Sequence, residues 1–202
     1  MAKINLSGFS GIHVARMTTE DTVSQKPTYE ALVPLQGGKS IEVSLNYEGV
    51  KFYADNTISY QDNYFTGGEV TLSLSGLTME EYSLLFGNTI GKHGVTGVNA
   101  NDVAPTLAIT FEKKILGTNN HKRLFVLYGV NLAPSAISAE TLADSVSESP
   151  IEITGQVRQL ADGSIYAMVD TNSAEYNAEL DNWHEEVKFM EAKELVAAKA
   201  SK

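Results

Sequence analysis

Residues 69 to 86 read EVTLSLSGLTMEEYSLLF, and a strand pattern and a helix pattern meet there with their punctuation in place. Val70, Leu72 and Leu74 alternate with Thr71, Ser73 and Ser75, giving an extended segment one apolar and one hydroxyl-rich face. Gly76 breaks the run. Thr78 stands three residues before Glu81, a spacing that lets each side chain satisfy a backbone N–H of the other, and Gly87 stands where a left-handed stop falls. The stretch predicts a strand, a turn and a short helix over about 78–86. A helix under about 12 residues is marginal alone in water. It must therefore pack on a sheet, through Tyr82, Leu85 and Phe86, with Met79 beside them at helical spacing.

Upstream, Ile12 and Val14 mark a short strand, with Arg16 next on the same face. Residues 18–28, TTEDTVSQKPT, read as an exposed loop or arm, and Tyr29 to Val33 as a brief strand ended by Pro34. The clearest alternation sets Ile41, Val43, Leu45 and Tyr47 against Glu42, Ser44, Asn46 and Glu48. Glu48–Gly49 reads as a turn or bulge before Val50, Phe52 and Ala54, which makes a hairpin. Ile58 to Phe65, ISYQDNYF, fits either a strand or an ordered loop.

Downstream, residues 88–104 read as a long loop, and Leu107, Ile109 and Phe111 restore period two. After a turn at Gly117 to Asn120, the run LFVLYGV from Leu124 to Val130 suits a strand buried on both faces. Residues 131–149 form a second long connection. Ile151, Ile153 and Val157 then predict a strand, Asp162–Gly163 a hairpin turn, and Ile165 to Val169 its return strand. From Ala174, Leu180, Trp183, Val187 and Met190 recur at helical spacing, so a helical arm is expected over 174–202. The fold class expected is mainly β (α+β): an antiparallel β-sandwich or partly closed barrel over 1–173, one flanking helix, long loops and a C-terminal helical arm.

Composition narrows the chemistry. The 202 residues include no cysteine, which removes disulfides, thiolate metal sites and cysteine nucleophiles. No run of about 18 apolar residues suggests a membrane span, and the N-terminus lacks a secretory apolar core. The net charge of −10 disfavours adhesion to nucleic acid. Between Lys51 and Lys92 there is no basic residue but there are Asp55, Asp62, Glu69, Glu80 and Glu81. The compensating base concentrates in Lys113, Lys114, Lys122 and Arg123.

Motifs for catalysis fail on spacing. His184-Glu185-Glu186 has Lys188 where a zinc helix needs its second His, and His13, His93 and His121 make no ligand spacing with it. Gly87 to Lys92 has three residues between its glycines where a phosphate loop has four, and His93 follows in place of Ser or Thr. Ser10 lacks the final glycine of a nucleophile elbow. The reading is therefore not an enzyme, with no catalytic, cofactor-binding or metal site and no cofactor. Trp183 and Val187 stand out as a core or interface anchor.

Several phrases in order resemble one family: GFSGIHVARMT, KFYADN, SGLTMEEYSLLFG, NDVAPTLAITFE, KRLFVLYGVNLAPS, SESPIEITGQVRQLADGSIYAMVD and NWHEEV. Together they are similar to the phi13-type major tail proteins of long, non-contractile-tailed bacteriophages. The departures are His184, where Phe is expected after Trp183, and a tail after Lys188 longer than the family pattern.

The resemblance implies a structural protein that polymerises as stacked hexameric rings into the tail tube, the conduit for DNA ejection. Its partners would be other copies of itself and the tape measure, tail terminator and distal tail proteins. DNA would pass through without specific binding, and no membrane is involved. The protein would be made in the bacterial host cytoplasm and end in the virion. Loops 18–28, 88–104 and 131–149 and the C-terminal arm map onto inter-ring contacts, with Trp183 and Val187 as candidate assembly contacts. Asp55 and Asp62 are candidate lumen-facing acids. The competing expectations are a monomeric β-sandwich module gripping carbohydrate through Tyr47, Tyr53, Tyr60 and Tyr64, or another protein, and the tube protein of a related bacterial secretion machine.

Overall fold

The helix forms where its punctuation places it. In a computed structural model, which describes residues 4–54, 56–117, 120–134 and 150–190, α1 spans Met79–Phe86. The Thr78 hydroxyl accepts from the Glu81 amide at 3.2 Å, and the Glu81 carboxylate accepts from the Thr78 amide at 2.7 Å. Gly87 ends the helix at φ 74°, and a Cβ there would lie 2.6 Å from the Val103 carbonyl oxygen. Only glycine fits that stop. The last turn has no basic residue of its own. Instead the Arg16 guanidinium donates to the Leu84 carbonyl at 3.0 Å and to the Ser83 carbonyl, setting a cation against the negative end of the helix. Thr78→Ala should lower stability by about 1 kcal/mol in urea denaturation, and no measurable loss would show the cap to be idle.

Among the described residues eleven strands lie around the helix: β1 (Leu6–Thr19), β2 (Thr28–Tyr29), β3 (Val33–Pro34), β4 (Gly38–Ala54), β5 (Thr57–Leu74), β6 (Thr89–Ile90), β7 (Thr96–Gly97), β8 (Thr106–Ile115), β9 (Lys122–Leu132), β10 (Ile151–Arg158) and β11 (Tyr166–Asp170). Nine form one antiparallel sheet in the order β2-β1-β8-β9-β10-β5-β4, with β11 on β9 and β3 on β1. The sheet folds over so that β4 begins beside β1, where a Cβ on Gly38 would lie 2.6 Å from the Ile12 side chain. Among the described residues no ladder joins β1 to β4, so the sheet does not close into a barrel. The architecture is a mainly β, antiparallel sandwich with one α-helix among the described residues.

The core between the layers holds Ile12 and Val14 of β1, Val70, Leu72 and Leu74 of β5, Leu107 and Ile109 of β8, and Ile153 and Val157 of β10. Leu85 and Phe86 of α1 enter the same cluster. Tyr82 packs at its margin, but Met79 is 49% exposed and takes no part. It stands in the exposed first turn, whereas the buried residues of the helix come in its last turn. Strand β9 is buried on both faces, as its apolar run predicts. Leu127 faces the sandwich core, while Leu124, Val126 and Tyr128 face a second cluster on the outside. A register irregularity opposite Leu107 and Ile109 then returns Val130 and Leu132 to the inner core.

Several expectations need correction. Glu48–Gly49 is not a turn: β4 runs through it, with Glu48 opposite Tyr64 and Gly49 opposite Asn63. Alternation never breaks there, and the reversal comes after Ala54. Ile58 to Phe65 is therefore the partner strand.

Asp162–Gly163 lies in a turn, with the Gly163 amide on the Leu160 carbonyl at 2.9 Å, but no hairpin results. Strand β11 pairs with β9 over 123–127, while β10 pairs with β9 over 129–132. The two follow one another along one edge, and β10 swings away to β5.

The described part of the predicted C-terminal helix, 174–190, is a succession of turns with one short 3-10 segment, Ala178–Leu180. Apolar residues at helical spacing here serve a strap wound over a sheet face, and residues 191–202 lie outside the described residues.

Loop 88–104 contains the small β6–β7 hairpin. Loop 18–28 is less free than expected: β1 reaches Thr19, Pro27 is buried, and Asp21 accepts from Arg158 at 2.8 Å. Of 131–149, residues 131 and 132 belong to β9, and 135–149 lie outside the described residues.

Candidate functional surface

Strands β4 and β5 are far longer than the sheet that supports them. Strand β10 pairs with β5 only from Gly68 to Leu74, and from Asn46 to Ala54 strand β4 is paired with β5 alone. At about 3.3 Å per residue, that stretch projects on the order of 30 Å as a two-stranded ribbon. Beyond Gly68 no described strand lies along the outer side of β5, and none lies along the outer side of β4. Two rows of backbone donors and acceptors are thus open to another chain.

The alternation of the ribbon sorts its side chains into two rows. One face pairs Glu48 with Tyr64, Val50 with Asp62 and Phe52 with Tyr60; the other pairs Tyr47 with Phe65, Lys51 with Gln61 and Tyr53 with Ile58. Phe52 is 59% exposed and Tyr53 69%. Tyr47, Ile58, Tyr60 and Tyr64 are also exposed, although Tyr47 and Phe65 meet edge-on at 5.7 Å and Phe52 and Tyr60 at 5.8 Å. An isolated two-stranded ribbon is at best marginally stable in water, and contiguous exposed apolar side chains mark contact surfaces.

The first of these faces continues down the sandwich as its outer wall. Glu42 stands opposite Thr71, Ser44 opposite Glu69, and Glu152 opposite Ser73, with Thr154 and Gln156 following. Glu42, Glu48, Asp62, Glu69 and Glu152 are all exposed on it. No lysine or arginine occurs among the paired residues of this face. Arg158, next in the alternation of β10, turns aside to Asp21. The Tyr60 hydroxyl donates to Asp62 at 2.8 Å and the Tyr64 hydroxyl to Glu48 at 2.9 Å. Each bond to a carboxylate favours the protonated phenol and raises the tyrosine pKa. Five carboxylates and a run of hydroxyls thus share this wall, interrupted on the ribbon by Val50 and Phe52.

The sequence-predicted residues fall differently. Asp62 lies on the acidic face, and Asp55 lies outside the described residues. Trp183 takes the core side of the core-or-interface alternative. It is 4% exposed within its own subunit, packed with Leu124, Val126 and Tyr128, and its indole N–H donates to the Phe125 carbonyl at 3.2 Å. Val187 is half-buried against the same cluster. Sequence places Glu69 in an acidic run and Glu42 in the β4 alternation, but does not assign either, or Glu152, to this wall. Alternation in β4 puts Glu42 and Glu48 on one side, but nothing in the chain says that β10 completes the wall.

One polar cluster lies inside the subunit. Glu112, 7% exposed, accepts from Ser10 at 2.9 Å and Lys122 at 2.6 Å through Oε1, and its Oε2 faces His184 Nε2 at 3.3 Å. Burial pushes the Glu112 pKa up, but Lys122, Ser10 and His184 together outweigh it and hold the carboxyl below its ordinary range. Among the described residues no group of His, Asp and Glu is arranged to hold a metal. No protein-family profile matches the chain, and no curated protein matches it.

Proposed function

We propose that the chain is the building block of a phage tail tube, with copies closing into hexameric rings that stack into a conduit for DNA. The observation that carries this reading is the projecting β4–β5 ribbon, with open backbone edges and aromatic rows that one subunit leaves in water. Side-by-side pairing would satisfy the edges, because an edge strand pairs with another chain unless it is blunted, and packing behind the ribbon would cover the row of Tyr47, Tyr53 and Ile58 on the face opposite the acids. The acidic face then becomes the channel wall. Carboxylates without neighbouring cations repel a polyanion and offer it no counterion-releasing contacts, so DNA slides instead of sticking.

On this reading the protein is structural, not catalytic, and needs no cofactor. It would reside in the virion tail after synthesis in the host cytoplasm, and meet the tape measure, terminator and distal tail proteins that the resemblance implies. Electron microscopy of the concentrated protein should show rings or hollow tubes, and a reconstruction should place Glu42, Glu69 and Glu152 on the inner wall. Dispersed monomers at every concentration would end the reading and favour a monomeric binding module. Tubes with that face outward would end the channel assignment alone.

A further inference from the structure

The C-terminal strap, residues 176–190, is held to the outer face of the sheet by two kinds of contact. Along most of its length they are apolar or backbone: Trp183, Leu180, Val187 and Phe189 cover Leu124, Val126 and Tyr128, the Phe189 ring stacks on Tyr128 at 5.0 Å, and the Tyr128 hydroxyl donates to the Lys188 carbonyl at 3.0 Å. At one point they are titratable. His184 stacks on His13 of β1 with ring centroids 4.5 Å apart and planes 23° apart. Its Nδ1 lies 3.2 Å from the Thr110 hydroxyl and its Nε2 faces the buried Glu112 of β8. We propose that this histidine pair is an acid-sensitive latch, whose protonation frees the strap from the sheet while the sandwich stays folded.

The charges around the pair decide the direction. Neutral imidazoles stack without penalty, but two imidazolium rings at this separation repel, and part of that repulsion acts where water is excluded. Glu112 can offset only one positive charge, and its other oxygen already holds Lys122 of β9. His13 has the Gly11 carbonyl at 3.0 Å from its Nδ1 as its partner, and no carboxylate among the described residues. On the strap itself, Glu186 is tied to Lys188, and the Glu185 carbonyl accepts from the Leu32 amide at 3.2 Å.

Burial, then the neighbouring His13, hold the docked His184 pKa below its ordinary 6.5 against the opposite pull of Glu112. A released strap regains the ordinary value and so binds more protons. Docking is complete above pH 6.5 and weakens as pH falls below it. Glu112, held below the ordinary 4.5, stays ionised through that window.

The strap carries its own reporter, since Trp183 is the only tryptophan in the chain. Acrylamide quenching of the dilute full-length protein, followed from about pH 8 to about pH 5.5 beside far-ultraviolet circular dichroism, reads strap and sheet separately. Quenching should rise about threefold or more below pH 6.5 with the sheet signal unchanged. His184→Gln, which keeps a donor toward Glu112, should flatten the curve. Should that variant fail to fold, His13→Gln should move the midpoint to lower pH by removing the ring whose neighbourhood disfavours protonation of docked His184. Tryptophan that stays shielded at pH 5.5, exposure that comes only with loss of the sheet signal, or wild-type curves in the folded variants would overturn the latch.

Discussion

Shortening the ribbon by joining Glu48 to Tyr64 through Asn-Gly should leave a folded subunit that forms no tubes. The two residues are directly opposite in the β4–β5 ladder, so a two-residue turn of the favoured hairpin type closes the strands in register. What is removed contributes nothing to either buried cluster. Stability in urea should therefore change by no more than about 0.5 kcal/mol. Assembly should be lost outright, because the projecting part of both open edges and the exposed Phe52, Tyr53, Ile58 and Tyr60 go at once. Sedimentation and electron microscopy of the concentrated variant decide it. Tubes of normal length would show that the ribbon is not the ring contact, and loss of the fold would show that it supports the subunit instead.

Phe86→Ala should be the most damaging substitution in the helix, costing about 3–5 kcal/mol. Phe86 and Leu85 are the residues of α1 buried in the core, where they join Val70, Leu72 and Leu74 from the strand that precedes the helix. Truncation leaves a cavity that the sheet cannot collapse into, because its strands are fixed by their ladders. Tyr82→Ala, at the margin, should cost less, and Met79→Ala should fall within about 0.5 kcal/mol. Urea midpoints for the three variants test the order. Equal losses at Met79 and Phe86 would mean that the helix acts through its propensity and not through its buried face.

Both expectations rest on the same division within the molecule. The helix buries Leu85 and Phe86 in a core shared with β5 and β10, and the ribbon carries β4 and β5 outward from it into solvent. The acidic wall runs along the outside of both. A subunit loosened in that core would present the ribbon at the wrong angle, so a stability defect there is expected to reach assembly as well.

How much of this was legible from the residues depends on distance along the chain. The capped helix, its left-handed stop, the alternation of Ile41 to Tyr47 and the doubly buried strand at Leu124 were all readable, because each is decided by neighbours within a turn or a pleat. Capping needs Thr78 and Glu81 and no more.

What failed were the contacts that join distant segments. Strand β10 leaves β9 for β5, so the reversal expected at Asp162–Gly163 does not form a hairpin. The apolar spacing from Leu180 to Val187 suits a helix equally well, and only the outer face of β9, waiting uncovered, draws that segment down as a strap. The Arg16 cap on α1, the meeting of His13 with His184 and the gathering of Glu42, Glu69 and Glu152 on one wall are likewise invisible in sequence. Local hydrogen bonding and alternation wrote the elements into the chain, whereas pairing order, set by which apolar faces could be buried together, decided the surfaces.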